Sequence, residues 1–261
     1  VRRAAVQTLA KLPPEVLAAH ALAVVAKLEH SDGGVREAAV WTLAKLPPEA
    51  LATHAAALVA ELEDSDAGVR KAAVQTLGKL LPAVLATHTA AVVAKLEDST
   101  PDVREAAVQT LGKLLPEVLA AHAAAVVAKL EDSDGGVRKA AVETLGQLLP
   151  EVLTAHAAAV VARLEDSDSG VRLAAVETLG KLPPEVLAAH AAPVLAKLKD
   201  SKMAVRLAAV QTLGKLPPEV LAAHATAVVA KLEDSEEIVR QAAVQTLEKL
   251  PPEVSAAARR A

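Results

Sequence analysis

The 261 residues carry a formal net charge of −4 and a pI near 6.1, with acidic and basic residues alternating along the chain instead of forming blocks. No basic stripe invites nucleic acid, and apolar runs such as AAAVVA fall well short of the about 20 residues that span a bilayer, so neither nucleic acid nor membrane is expected as a partner. Cysteine is absent, which excludes disulfides, thiolate chemistry and Cys-ligated zinc and, with no signal-like start, fits an intracellular, cytoplasmic protein.

From Val1 a VR…AAV…TL unit recurs at Val35, Val69, Val103, Val137, Val171, Val205 and Val239, each 34 residues after the last. One supersecondary unit is therefore stacked repeatedly. Phe and Tyr are missing, and Trp41, Met203 and Ile238 are single occurrences, so Ala, Val and Leu supply the apolar mass. Such side chains suit closely packed short helices better than a cofactor pocket. In chain order the predicted elements are an orphan helix over residues 1–12 and seven helical hairpins at 13–46, 47–80, 81–114, 115–148, 149–182, 183–216 and 217–250. A partial helix at 251–261 completes a single repeat domain, 1–261.

Within a hairpin the first helix opens at a proline kept in every copy, from Pro14 to Pro252, which suits the first helical position. A Glu such as Glu15 usually follows, where the helix dipole favours it. Leu17, Ala21, Val24 and Leu28 form its core stripe. Pro193, three residues after His190, has no place inside a continuous helix. The spacing predicts a kink or restart near the histidine, at least in that copy. A polar turn such as EDSDAG follows, with the N-cap of the next helix placed at Thr100, before Pro101, and by register at Asp66.

On a helical wheel the second helix puts Val69, Ala72, Ala73, Thr76, Leu77 and Leu80 on one side, widened by Val74. A narrow strip of Lys71, Gln75, Gly78 and Lys79 is left for solvent. Leu46-Pro47-Pro48, or Leu80-Leu81-Pro82 in the variant copies, ends the helix. Gly78, Gly112, Gly146, Gly180 and Gly214 near that end indicate close helix contact or early termination.

The Asp that closes the first helix, the Val-Arg after it (Asp64, Arg70), the following Ala-Ala and the Leu77-Gly78 pair together resemble the HEAT and HEAT-like repeat family over essentially the whole chain. The resemblance implies an all-α, right-handed α-solenoid of 34-residue hairpins whose second helices line the concave side. It also implies a ladder between adjacent repeats. Arg2, Arg36, Arg70, Arg104, Arg138, Arg172, Arg206 and Arg240 would form one rail, and Asp64, Asp98, Asp132, Asp166, Asp200 and Asp234 the other. His30 replaces the first Asp and puts that rung in question. The near-identity of the copies points to recent duplication or to consensus design.

The column His20, His54, His88, His122, His156, His190 and His224 could be imagined as a metal ladder. A metal site, however, needs three or four ligands within about 2 to 2.3 Å of one ion, whereas neighbouring helices stand about 8 to 10 Å apart. No carboxylate recurs three or four residues from these histidines. They read as packing or kink-capping residues, with no metal site. The HEAT-like di-iron hydroxylases carry His-Glu pairs, and no His-Glu dipeptide occurs here; nothing marks a tetrapyrrole pocket of the related bilin lyases either. No catalytic residue and no cofactor is therefore expected, and a HEAT-like enzyme is the rival class.

Comparison of the copies shows where they differ. The second helix varies chiefly at its third and seventh positions: Glu37 and Trp41, Lys71 and Gln75, Glu105 and Gln109, Lys139 and Glu143, Leu173 and Glu177, Leu207 and Gln211, with Arg3 and Gln7 before them and Gln241 and Gln245 after. These residues form the candidate surface for a protein or peptide partner. Trp41 is the lone aromatic side chain on it, and Leu173 and Leu207 place apolar residues in adjacent copies. Neither end carries a clear cap, so end-to-end self-association is an expected property. The rival to a binding role is a passive or engineered scaffold with no ligand.

Overall fold

A computed structural model describes residues 8–251. The orphan helix lies mostly outside the described residues, as does the terminal stretch from 252 onward. The chain divides between Lys129 and Leu130 into two compact units. Among the described residues every regular element is helical, and each unit is a run of stacked helical hairpins, an α-solenoid.

The long helices are Gly33–Leu43, Ala67–Leu77, Pro101–Leu111, Gly135–Leu145, Ser169–Leu179, Met203–Leu213 and Glu237–Leu247. Their starts follow the predicted register. Asp32, Asp66, Asp134 and Asp168 each accept a backbone N–H of the first turn, and Thr100 occupies the same position before Pro101. Their inward side is the wheel's apolar side: Val69, Ala72, Ala73, Val74, Thr76 and Leu77 are fully buried, and the same set is buried in the following copies except at Val244, which is exposed. The helix unwinds into a tight turn, with Leu80 N–H on Leu77 O at 3.0 Å. The next helix then begins at the retained proline.

The preceding segment is not one helix in any of the seven hairpins. Pro184–Ala189 stops at His190, and Ala191–Ala196 restarts from it, with His190 at φ −113° and ψ 16°. Copies without an internal proline break at the same place; His122, for example, has φ −111° and ψ 5°. The break expected in the Pro193 copy thus occurs in all seven described hairpins. The restart explains why proline is tolerated: Pro193 falls in the first turn of a new helix, where there is no i−4 bond to lose and equivalents such as Ala159 make only a tight bond to the histidine carbonyl three residues back, 3.0 Å to His156 O. In most copies a short 3₁₀ turn follows, such as Glu61–Glu63, Lys95–Glu97 and Arg163–Glu165, and places the last leucine of the core stripe.

Within each unit the long helices pack directly on one another: Gly33–Leu43 on Ala67–Leu77 and on through Pro101–Leu111 in the first, and Gly135–Leu145 through Glu237–Leu247 in the second. Small side chains make this possible. Ala39, Ala73, Ala107, Ala141, Ala175, Ala209 and Ala243 are wholly buried, and a methyl group lets helix backbones approach closely.

Candidate protein-binding face

Within each unit three sets of polar contacts tie neighbouring repeats together, and they determine which side chains of the long helices face outward. The first is the Arg–Asp ladder. Arg36 Nε and Nη2 donate to Asp64 Oδ2 and Oδ1 at 2.6 and 2.7 Å. The same two-pronged contact joins Arg70 to Asp98, Arg138 to Asp166, Arg172 to Asp200 and Arg206 to Asp234 at 2.7 to 3.0 Å. The remaining nitrogen, Nη1, returns to the repeat's own turn, as in Arg70 to Asp64 O at 2.9 Å. Each Asp also accepts the N–H two residues on, as Asp64 does from Asp66 at 2.7 Å. One residue pair thus folds a turn and clamps its neighbour.

These acids are only 4 to 8 % exposed, and planar guanidinium-to-carboxylate pairing is among the stronger charge-assisted arrangements. The hydrogen bonds from arginine hold Asp64, Asp98, Asp166, Asp200 and Asp234 below the usual carboxylate range, against the opposite pull of burial. His30, which takes the place of the first Asp, reproduces the turn half of the contact: its Nδ1 accepts the Asp32 N–H at 3.0 Å. Arg2, the other half of that rung, lies outside the described residues.

Sequence reasoning missed the second set. Lys95, Lys129, Arg163 and Lys197 each reach a Glu one repeat earlier, Glu63, Glu97, Glu131 and Glu165, at 2.7 to 2.9 Å. The signal was present in the recurring KLE, whose Lys and Glu meet only across a repeat boundary. Glu61 interrupts the series by standing where the others have a cation. Burial, and then the nearby Asp64, push its carboxyl above the usual range, Glu29 of the preceding repeat adds to this, and Arg36 acts in the opposite direction. Its Oε2 is buried without a hydrogen-bond partner.

The third set corrects the expectation that Gly78 faces solvent. Gly78 is buried against the next repeat: a Cβ there would lie 3.0 Å from Thr110 Oγ1, and Thr110 donates to Val74 O at 3.2 Å. Thr178, Thr212 and Thr246 repeat the bond to Val142, Val176 and Val210. The glycines therefore admit a buried threonine from the next copy, the close-contact reading. Where Ala44 replaces the glycine, the corresponding Thr76 Oγ1 is buried with no partner.

What these joints leave outward on the long helices is the varied strip. In the first unit Trp41 exposes 38 % of its surface, Gln109 is exposed, and Glu37, Lys71, Gln75 and Glu105 are half-buried. In the second, Lys139, Glu143, Glu177 and Gln211 are exposed, and Leu173 and Leu207 are half-buried. The polar members are partly engaged with one another: Lys71 reaches Asp102 at 2.7 Å, Gln109 donates to Glu105 at 2.9 Å, and Lys139 lies 3.6 Å from Glu143. The histidine column sits on the other layer. Each histidine there occupies the N-cap position of a restarted helix, and its side chain makes no cap bond. Among the described residues no three His, Asp or Glu side chains converge on a metal position, and no helix is long and apolar enough to cross a membrane.

A family model described as sister chromatid cohesion protein PDS5 matches residues 37–183 and, in a second alignment, residues 82–226. The chain belongs to this HEAT-like repeat family. Two overlapping alignments of one model are what a tandem array produces, because any copy can stand in for its neighbour. The crystal structure of an engineered protein is similar over 98 % of this chain and 77 % of its own length, with a TM-score of 0.67 at 19 % identity. At that identity the likeness concerns the fold. Comparison with curated proteins finds no match.

Proposed function

We propose that the chain is a non-catalytic repeat scaffold that binds a protein or an extended peptide through the outward strip of its long helices. The observation that carries this reading is the division of labour within the repeat. Residues in the three inter-repeat contact sets are nearly invariant, whereas the positions left outward change from copy to copy, with Trp41 and the Leu173 and Leu207 positions as apolar anchors. Aromatic residues on a rigid surface are the side chains most often responsible for binding energy. The name of the matching family, which refers to sister chromatid cohesion, lends support to a protein-binding role over catalysis. The balanced charge argues against nucleic acid as the partner, and the cysteine-free composition accords with a cytoplasmic setting. End-to-end association of the array remains part of the proposal.

Trp41 is the one tryptophan and reports binding directly. Peptides selected by display against the intact chain are expected to shift its emission or to lose at least tenfold in affinity, ~1.4 kcal/mol, on Trp41→Ala, Leu173→Glu or Leu207→Glu. Ligands whose affinity ignores all three changes would place binding elsewhere. Selections that return no ligand would favour a passive scaffold. A stoichiometric transition metal that is lost on His122→Ala would favour the enzymatic class.

A further inference from the structure

In the second unit, a cleft of about 560 Å³ opens between the split helices of two neighbouring hairpins. Leu195, Leu198, Ala223, Ala227 and Ala230 give it apolar walls, and Lys199, Lys231, His224 and Thr226 give it polar ones. Its charge is a departure from the repeat. At the preceding joint, Arg172 and Lys197 are matched by Asp200 and Glu165, with Lys197 2.7 Å from Glu165. Here the Glu165 position is taken by Lys199, so Lys231 has an amine where its equivalents have a carboxylate. Lys231 turns instead to Asp234 Oδ2 at 3.1 Å, an acid already held by both prongs of Arg206. Arg206 and Lys231 share one carboxylate, and Lys199 adds a third cation to the lining of the apolar cleft.

We infer that this cleft is a binding site for a small amphiphilic anion, a carboxylate head held by Lys199 and Lys231 with an aliphatic tail against Leu195, Leu198 and the alanines. The volume falls within the range of small-molecule sites, about 300 to 1,000 Å³, and the combination of apolar walls with a few polar groups is their usual chemistry. Ammonium groups act as point charges and suit a single carboxylate without demanding a fixed plane. The site lies on the split-helix layer, away from the varied strip, and does not depend on the proposed protein-binding role.

The test is a titration of the full chain with sodium octanoate, followed by amide chemical shifts, with octanol as the uncharged control. Saturable shifts centred on Leu195, Ala223, Ala227 and Ala230 are expected, with octanol producing none. Lys199→Glu restores the residue that the other copies carry and gives Lys231 its missing partner. It is expected to weaken octanoate at least tenfold while leaving the melting temperature unchanged or raised, so lost binding is separable from lost fold. The inference is overturned if octanoate does not bind, if octanol or Lys199→Glu gives the same shifts, or if equivalent residues in other copies, such as Ala155 and Ala189, respond as strongly. A glutamate-rich peptide that shifts these residues where octanoate does not would overturn it as well, by making the cleft a peptide contact.

Discussion

Replacing Glu61 by Lys should stabilise the protein, and the size of the gain follows from the joint it occupies. Glu61 stands in a position that holds Lys95, Lys129, Arg163 or Lys197 in other copies, each 2.7 to 2.9 Å from a glutamate one repeat earlier. Its own counterpart is Glu29, and Asp64 lies beside it. The buried Oε2 without a partner corresponds to about 1 to 3 kcal/mol. A Lys–Glu pair, buried at the lysine and exposed at the glutamate as in the other copies, would add up to about 1 kcal/mol. A net gain of ~2 kcal/mol should raise the melting temperature by about 4 to 8 °C in a domain of this size class. The pH dependence fixes the mechanism. The carboxyl titrates higher in the folded state than unfolded, so below the ordinary glutamate range it is protonated in both states and carries no ionisation penalty; the penalty develops as pH rises through that range and is complete above the folded value. The advantage of Glu61→Lys should therefore be largest near pH 7 and shrink toward pH 4, with Glu61→Gln recovering part of it. Thermal melts of the three proteins across pH 4 to 7 decide the matter. A variant no more stable than the parent at pH 7, or a gain independent of pH, would refute the assignment.

Breaking one rung by Asp200→Asn leaves Arg172 without its buried carboxylate and should cost about 3 kcal/mol in urea unfolding. The ladder acids titrate below the usual carboxylate range in the folded state, so their contribution is complete above the ordinary aspartate range, near pH 4, and is lost as pH falls through the folded values; Asp200→Asn should make acid unfolding measurably shallower than in the parent. Gly180→Ala places a Cβ 2.9 Å from Thr212 Oγ1; the orphaned hydroxyl should outweigh the backbone-entropy gain by about 1 kcal/mol, and in a Thr212→Val background the same change should be neutral or stabilising, a coupling read by a double-mutant cycle. Ala125→Pro, three residues after His122, should cost less than about 1 kcal/mol in thermal unfolding, against about 3 or more inside a continuous helix.

The helix starts were legible because each follows from a short-range pattern repeated at a fixed spacing, and the Arg–Asp ladder because the resemblance to HEAT-like repeats implies it. Pro14, Pro48 and their equivalents sit at the first helical position, and the Asp66-type caps mark where the long helix begins. The helix break was legible only through Pro193; in other copies nothing between His122 and Val126 forbids a helix, so the local sequence carries no signal for it. Gly78 was misplaced because a wheel treats one helix alone, and its burial is caused by Thr110 from the next repeat. The Lys–Glu pairs were missed for the same reason: Lys95 and Glu97 look like a local pair, yet each bonds in the opposite direction along the array. Of the strip, exposure was legible from period and variation, whereas the pairing of Lys71 with Asp102 depends on how far one helix stands from its neighbour.

The irregular copies also predict where the first unit opens. Stability in a repeat array is approximately a sum of repeat and nearest-neighbour terms, so a defect at one joint lowers the free energy of opening there. Two defects fall on the joint between 13–46 and 47–80: Glu61 faces Glu29 in place of a cation, and Ala44 stands where glycine admits the next threonine, leaving Thr76 unpaired. The following joint has Lys95 on Glu63 and Thr110 on Val74, and both joints keep their Arg–Asp rung. The difference amounts to the ~2 kcal/mol of the Glu61 joint and about 1 kcal/mol for the orphaned Thr76 hydroxyl. At ~3 kcal/mol, amides of the helix Gly33–Leu43 should exchange about 150-fold faster than those of Ala67–Leu77. Proximity to the end would also speed exchange, so the comparison that matters is internal. Ala44→Gly with Glu61→Lys should slow exchange in Gly33–Leu43 by most of that factor and leave Pro101–Leu111 unchanged. If the repaired protein exchanges at Val40 and Leu43 as fast as the parent, position near the end and not the defective joint sets the opening.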